Sequence, residues 1–139
     1  MSFLSKVKAQ IVASGRDQAF KQDQLRFMHG GCDAFAIAFQ KLIGGEIIVA
    51  TDIDYDSDTE EPVLVHAVIF FDGSYYDASG KLGSSDDAVK KYLDDTFGSY
   101  ETFDEMTAEE LKQLSGTLSI SDAIHFIKKY HKHYGLKLK

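Results

Sequence analysis

Apolar positions recur along this chain with two different periods, and the changes from one to the other mark out its elements. From 3 to 13, Phe3, Leu4, Val7, Ile11 and Val12 fall at helical spacing with Lys6 and Lys8 outward, which predicts an amphipathic helix. A weaker helical pattern follows over 16–27, with Ala19, Phe20, Leu25 and Phe27 as its apolar members. Gly30 and Gly31 then run into Cys32 and a further helix. There Phe35, Ala36, Phe39, Leu42 and Ile43 occupy one side and Ala34, Ile37 and Ala38 most of the rest, so burial on nearly every face is expected. Gly44 and Gly45 stop it, and the β-branched stretch 46–51 reads as a short strand.

Residues 63–71 are apolar except for His66, the pattern of a strand buried on both faces. Asp72-Gly73 predicts a tight hairpin, 74–78 the returning strand, and Ser79-Gly80 its close. Ser84 or Ser85 caps a helix through Ala88, Val89, Tyr92 and Leu93, with Asp86 and Asp87 in the favourable first turn and Gly98 at the end. Thr107 and Glu110 make a capping-box pattern before a short helix with Leu111 and Leu114. A last helix over about 121–134 packs Ala123, Ile127, Tyr130 and Tyr134 and stops at Gly135. The irregular segments that would carry specificity are expected within 14–30, 52–62 and 80–106.

The hairpin has a geometric consequence. If Asp72 and Gly73 are a two-residue loop, Phe71 pairs with Ser74, and Leu64, His66, Val68, Phe70, Tyr75 and Asp77 project on one side. His66 and Asp77 become diagonal neighbours, about 7 to 8 Å apart at the backbone, a gap that an imidazole and a carboxylate can bridge. A three-residue loop would send Asp77 to the opposite face. The other side of the long strand, Val65, Ala67, Ile69 and Phe71, is wholly apolar and ready for a helix or a second sheet.

Length and composition bound the rest. At 139 residues and 44% hydrophobic, the chain suits one compact domain spanning 1–139. A single Cys excludes an internal disulfide framework. Neither a signal-like N-terminus nor an apolar run of roughly 18 to 20 residues is present, so a cytoplasmic location without a membrane span is expected. The net charge of −7 comes almost wholly from Asp52, Asp54, Asp56, Asp58, Glu60 and Glu61, which have no Lys or Arg among them. Five Lys and no acid occupy 127–139, so the chain is polarised and its global charge says little about a partner.

Cys32 at a helix start, His66 on the central strand and Asp77 on the next supply a nucleophile, a base and a residue that orients the base. A helix N-terminus is also where a thiol's anionic form is favoured, and the amides near Gly31 and Cys32 could hold a developing oxyanion. Singly, each residue has a plain structural reading: a buried core thiol, a core histidine and a turn-forming aspartate. Their common face and their order carry the chemistry. At Gly-Gly-Cys-Asp-Ala-Phe-Ala, His66-Ala-Val and Tyr75-Tyr-Asp-Ala-Ser-Gly the sequence resembles the papain-like superfamily, including its transglutaminase-like and small bacterial amidase-like branches.

That resemblance implies an α+β papain-like fold, in which the buried Cys helix packs on a small antiparallel sheet and a helical segment follows toward the C-terminus. It implies Cys32 as nucleophile, His66 as general base and acid, and Asp77 as the orienting residue of a thiol-dependent hydrolase or acyl transferase. The bond would be an amide or isopeptide, and the substrate a protein or peptide. No Gln stands at the superfamily's usual distance before the Cys, which leaves the side-chain oxyanion donor unassigned, with Gln22 and Gln24 nearby. The alternative is a catalytically inactive module of the same fold, phage- or effector-like, engaging a partner protein.

No cofactor or metal is expected. Asp52, Asp54 and Asp56 alternate as in an EF-hand loop, but Ser57 and Val63 stand where Gly and Glu are required. His29, His125, His131 and His133 with one Cys make no zinc signature. Lysines without Arg or interleaved stacking residues point away from nucleic acid.

Overall fold

The computed structural model describes residues 18–28, 30–53, 61–115 and 119–139. The helix expected over 3–13, most of the acidic run and His29 lie outside the described residues. The architecture is mixed α+β: five helices and one five-stranded antiparallel sheet among the described residues. The helices are α1 (18–28), α2 (Cys32–Leu42), α3 (Asp86–Phe97), α4 (Ala108–Ser115) and α5 (Ile120–Tyr130). The strands are β1 (Glu46–Ile53), β2 (Pro62–Phe71), β3 (Ser74–Asp77), β4 (Gly80–Gly83) and β5 (Thr102–Met106), in the order β4-β3-β2-β1-β5.

The sheet is covered on both faces, as the apolar character of β2 demands. On one face Ile47, Val49, Ala67, Ile69, Tyr76 and Ala78 pack against Phe27 of α1, nearly all of α2, Leu111 of α4 and the inner side of α5. On the other, Ala50, Val68 and Tyr75 pack against Val89 and Leu93 of α3. Every residue from Cys32 to Phe39 is buried, so α2 is surrounded as its composition predicts.

The hairpin has the two-residue loop. Phe71 pairs with Ser74 and Phe70 with Tyr75, and Asp72 and Gly73 take φ of 48° and 78°. Positive φ at both central residues turns the chain with the twist the two strands require. The helix caps also match the sequence. Ser85 accepts from the Ala88 amide, and Thr107 and Glu110 cap each other's backbone. The last α-helix is shorter than expected, ending at Tyr130 and tightening into a 3-10 turn, His131–Tyr134, before Gly135 at φ 69°.

The sheet also differs from the expectation. The segment 80–106 carries two strands: β4 continues the meander past Asp77, and β5 pairs with β1 at the far edge. β5 escapes notice because Asp104 and Glu105 break its alternation and disfavour strands. The pairing of β1 with β2 slips, so that Ala50 faces His66 but Thr51 faces Leu64. Val65 is the extra residue of a bulge next to His66. Leu64 consequently joins the α2 face and Val65 the α3 face, the reverse of strict alternation.

Candidate active site

The site is built where α2 begins, β2 crosses the sheet and β3 ends. Gly31 sits at the helix N-cap, where a Cβ would come within 2.9 Å of the Arg26 carbonyl oxygen and 3.1 Å of the Phe27 ring. Its lack of a side chain therefore serves close packing of α1 against the start of α2, rather than the approach of a ligand. Cys32 is the first residue of α2 and is 6% exposed. Asp33 turns its carboxylate to the Ala34 amide at 2.7 Å, and no side chain caps the helix.

His66 and Asp77 meet as the register requires. Imidazole Nε2 lies 2.8 Å from Asp77 Oδ2, and both residues are 1% exposed. The other Asp77 oxygen accepts from the Ser79 amide at 2.8 Å and from the Ser79 hydroxyl, while the Tyr92 hydroxyl donates to Oδ2 at 2.7 Å. Two further side chains fix the turn that follows: Gln24 Nε2 and the Tyr134 hydroxyl both donate to the Ala78 carbonyl, at 2.7 and 2.6 Å.

The thiol of Cys32 stands beside the same imidazole. Burial alone would lower the His66 pKa, but the Asp77 hydrogen bond, then the contact with Cys32 and the charges of both partners, outweigh it and raise it to about 9. No hydrogen bond forms between the sulfur and the imidazole, and the buried Nδ1 has no partner. Burial would raise Asp77, yet the bonds from His66, Ser79 and Tyr92 hold its carboxyl below the usual value. Tyr92 is pushed up, first by burial and then by the Asp77 charge, which keeps it a neutral donor. The structure thus brings Cys32, His66 and Asp77 to one spot, with Nε2 committed to the carboxylate and Nδ1 unpaired.

Comparison with protein-family models, with curated proteins and with solved structures finds no match.

The remaining sequence candidates go elsewhere. Gln24, one of two candidate oxyanion donors, uses its amide on the Ala78 carbonyl, and Gln22 is exposed. Among the described residues no group of three or more His, Cys, Asp or Glu is disposed to hold a metal ion, and no helix is long and apolar enough to cross a membrane. His131 bonds the Leu136 carbonyl, and His133 stacks on Phe20.

The sequence reading missed Tyr92, Ser79 and Phe97. The Phe97 ring stacks on the imidazole at 4.2 Å between centroids with 23° between planes. Tyr92 carried a signal, because a tyrosine on the apolar face of a helix brings a hydroxyl that needs a partner. Phe97 carried none beyond its position at a helix end.

Proposed function

We propose that this protein is a thiol-dependent hydrolase or acyl transferase of papain-like type, acting on an amide or isopeptide bond of a protein or peptide substrate through Cys32, His66 and Asp77. The observation that carries the reading is the imidazole held by a buried carboxylate on one nitrogen, with its other nitrogen unpaired and the chain's single thiol beside it. With a pKa of about 9, His66 keeps a proton at neutral pH, and a protonated imidazole is the partner that a thiolate needs.

The chemistry then follows from the positions. The Cys32 thiolate attacks the substrate carbonyl carbon, a C–S bond forms, and the oxyanion is received by amides at the uncapped start of α2. His66 gives its proton to the leaving nitrogen, the C–N bond breaks, and a thioester remains on Cys32. Water or an acceptor amine attacks that thioester while His66 takes its proton, and departure of the thiolate restores the starting state. Asp77 keeps its charge throughout, orienting the ring and stabilising the imidazolium. Tyr92 and Ser79 hold Asp77 for that task.

The test is turnover of a panel of peptide amides and ε-lysyl isopeptides by the native protein and by Cys32→Ala and His66→Ala. Each substitution is expected to lower kcat by roughly 10³-fold or more while near-ultraviolet circular dichroism is retained. Equal turnover by Cys32→Ala would sink the assignment. A second reading, an inactive module that engages a partner protein, is favoured by the cover over the site: Cys32 is 6% exposed and Phe97 lies across the imidazole. Under that reading partner binding survives Cys32→Ala unchanged.

A further inference from the structure

A cleft of about 370 Å³ opens between α1, the turn after β3 and the end of α3, lined by Gln24, Leu25, Met28, Ser79, Thr96 and Phe97. Two of these residues touch the candidate triad. Ser79 bonds Asp77, and Phe97 is stacked on His66, so the cleft and the site share a wall. No lining residue carries a formal charge. Its most polar members are already engaged within the chain, Gln24 Nε2 with the Ala78 carbonyl and the Ser79 hydroxyl with Asp77. What the cleft offers an occupant is therefore mainly carbon from Leu25, Met28 and Phe97. Leu25 is 55% exposed, while its neighbour Phe27 is in the core at 3%. An apolar side chain left toward solvent at the edge of a cleft is a surface suited to a ligand.

We infer that this cleft seats an apolar side chain of the polypeptide substrate, flanking the amide whose carbonyl reaches Cys32, so that Leu, Met or Phe at that position is selected over a charged residue. The inference rests on the thiol reading above. A volume of about 370 Å³ is at the small end of ligand pockets, enough for one bulky side chain with the backbone on either side of it. Phe97, common to cleft and imidazole, is the point where an occupant of the cleft bears on the site.

The test uses four peptidyl vinyl sulfones that differ only in the residue beside the electrophile, Leu, Phe, Lys or Asp, with formation of the Cys32 adduct followed by intact mass. Iodoacetamide on the native protein serves as the reference for bare reactivity. The Leu and Phe probes are expected to modify Cys32 at least about tenfold faster than the Lys and Asp probes, the scale of discrimination an apolar pocket gives. Leu25→Lys and Thr96→Lys, both at exposed positions, are each expected to erase most of that preference and to favour the Asp probe. Equal rates for all four probes with iodoacetamide still reacting, or an unchanged preference in both variants, overturn the cleft assignment and leave the thiol reading standing. A Cys32 that neither the probes nor iodoacetamide modifies overturns both.

Discussion

The two faces of the sheet are built on different principles. The face toward α1, α2, α4 and α5 is a broad apolar layer in which Phe27, Phe35, Phe39 and Phe126 meet ring to ring. Toward α3 the layer is thinner, and it contains Tyr75 together with His66, Asp77 and Tyr92, the last three joined by hydrogen bonds. Tyr75 bonds Asp86 in the first turn of α3 and Tyr92 bonds Asp77 from its second, so polar links supplement a small apolar contact. One face holds the frame rigid through area removed from water, which is insensitive to protonation. The other holds a titratable network in place, and its stability is tied to pH.

Substitutions that sample each face separate these principles. Phe39→Ala, at a position 1% exposed among Phe35, Phe71 and Tyr76, is expected to cost about 3–5 kcal/mol by urea denaturation, with the same loss at pH 6.5 and pH 9. The α3 face sets how native stability itself varies with pH. His66 rises from 6.5 to about 9 on folding, so its contribution is fully present below pH 6.5 and is lost as pH climbs through about 9. On the scale of 1.36 kcal/mol per unit, that loss is roughly 3 kcal/mol at most. In Asp77→Asn the charge that supports the imidazolium is gone and burial dominates, so the decline between pH 6.5 and pH 9 should vanish. A decline that persists in that variant would break the distinction between the faces. Tyr92→Phe removes one hydrogen bond to a charged carboxylate and is expected to cost about 1.5 kcal/mol, with a shifted pH profile but an unchanged fold by circular dichroism.

How much of this was legible depended on whether the signal was local. Helix α2, the hairpin and the caps at Ser85 and Thr107 are written in short runs, and the turn Asp72-Gly73 fixed the register that brings His66 to Asp77. The bulge at Val65 is a property of two strands paired together and leaves no mark on either alone. β5 exists because β1 offers an edge, not because Thr102–Met106 prefers a strand. Phe97 reaches the imidazole and Gln24 the Ala78 carbonyl through tertiary placement, whereas Ser79 reaches Asp77 within the local turn. Of the two glycines before Cys32, Gly31 answers a packing need against Arg26 and Phe27, while a side chain at Gly30 would meet nothing within 4 Å.

The most direct measurement is the alkylation rate of Cys32 by iodoacetamide at pH 7, followed by intact mass in native protein, in His66→Ala and in urea-denatured chain. The account predicts that native Cys32 is modified readily and that His66→Ala slows the reaction by about tenfold or more while remaining folded. Modification confined to the denatured chain, or a rate indifferent to His66, would contradict it.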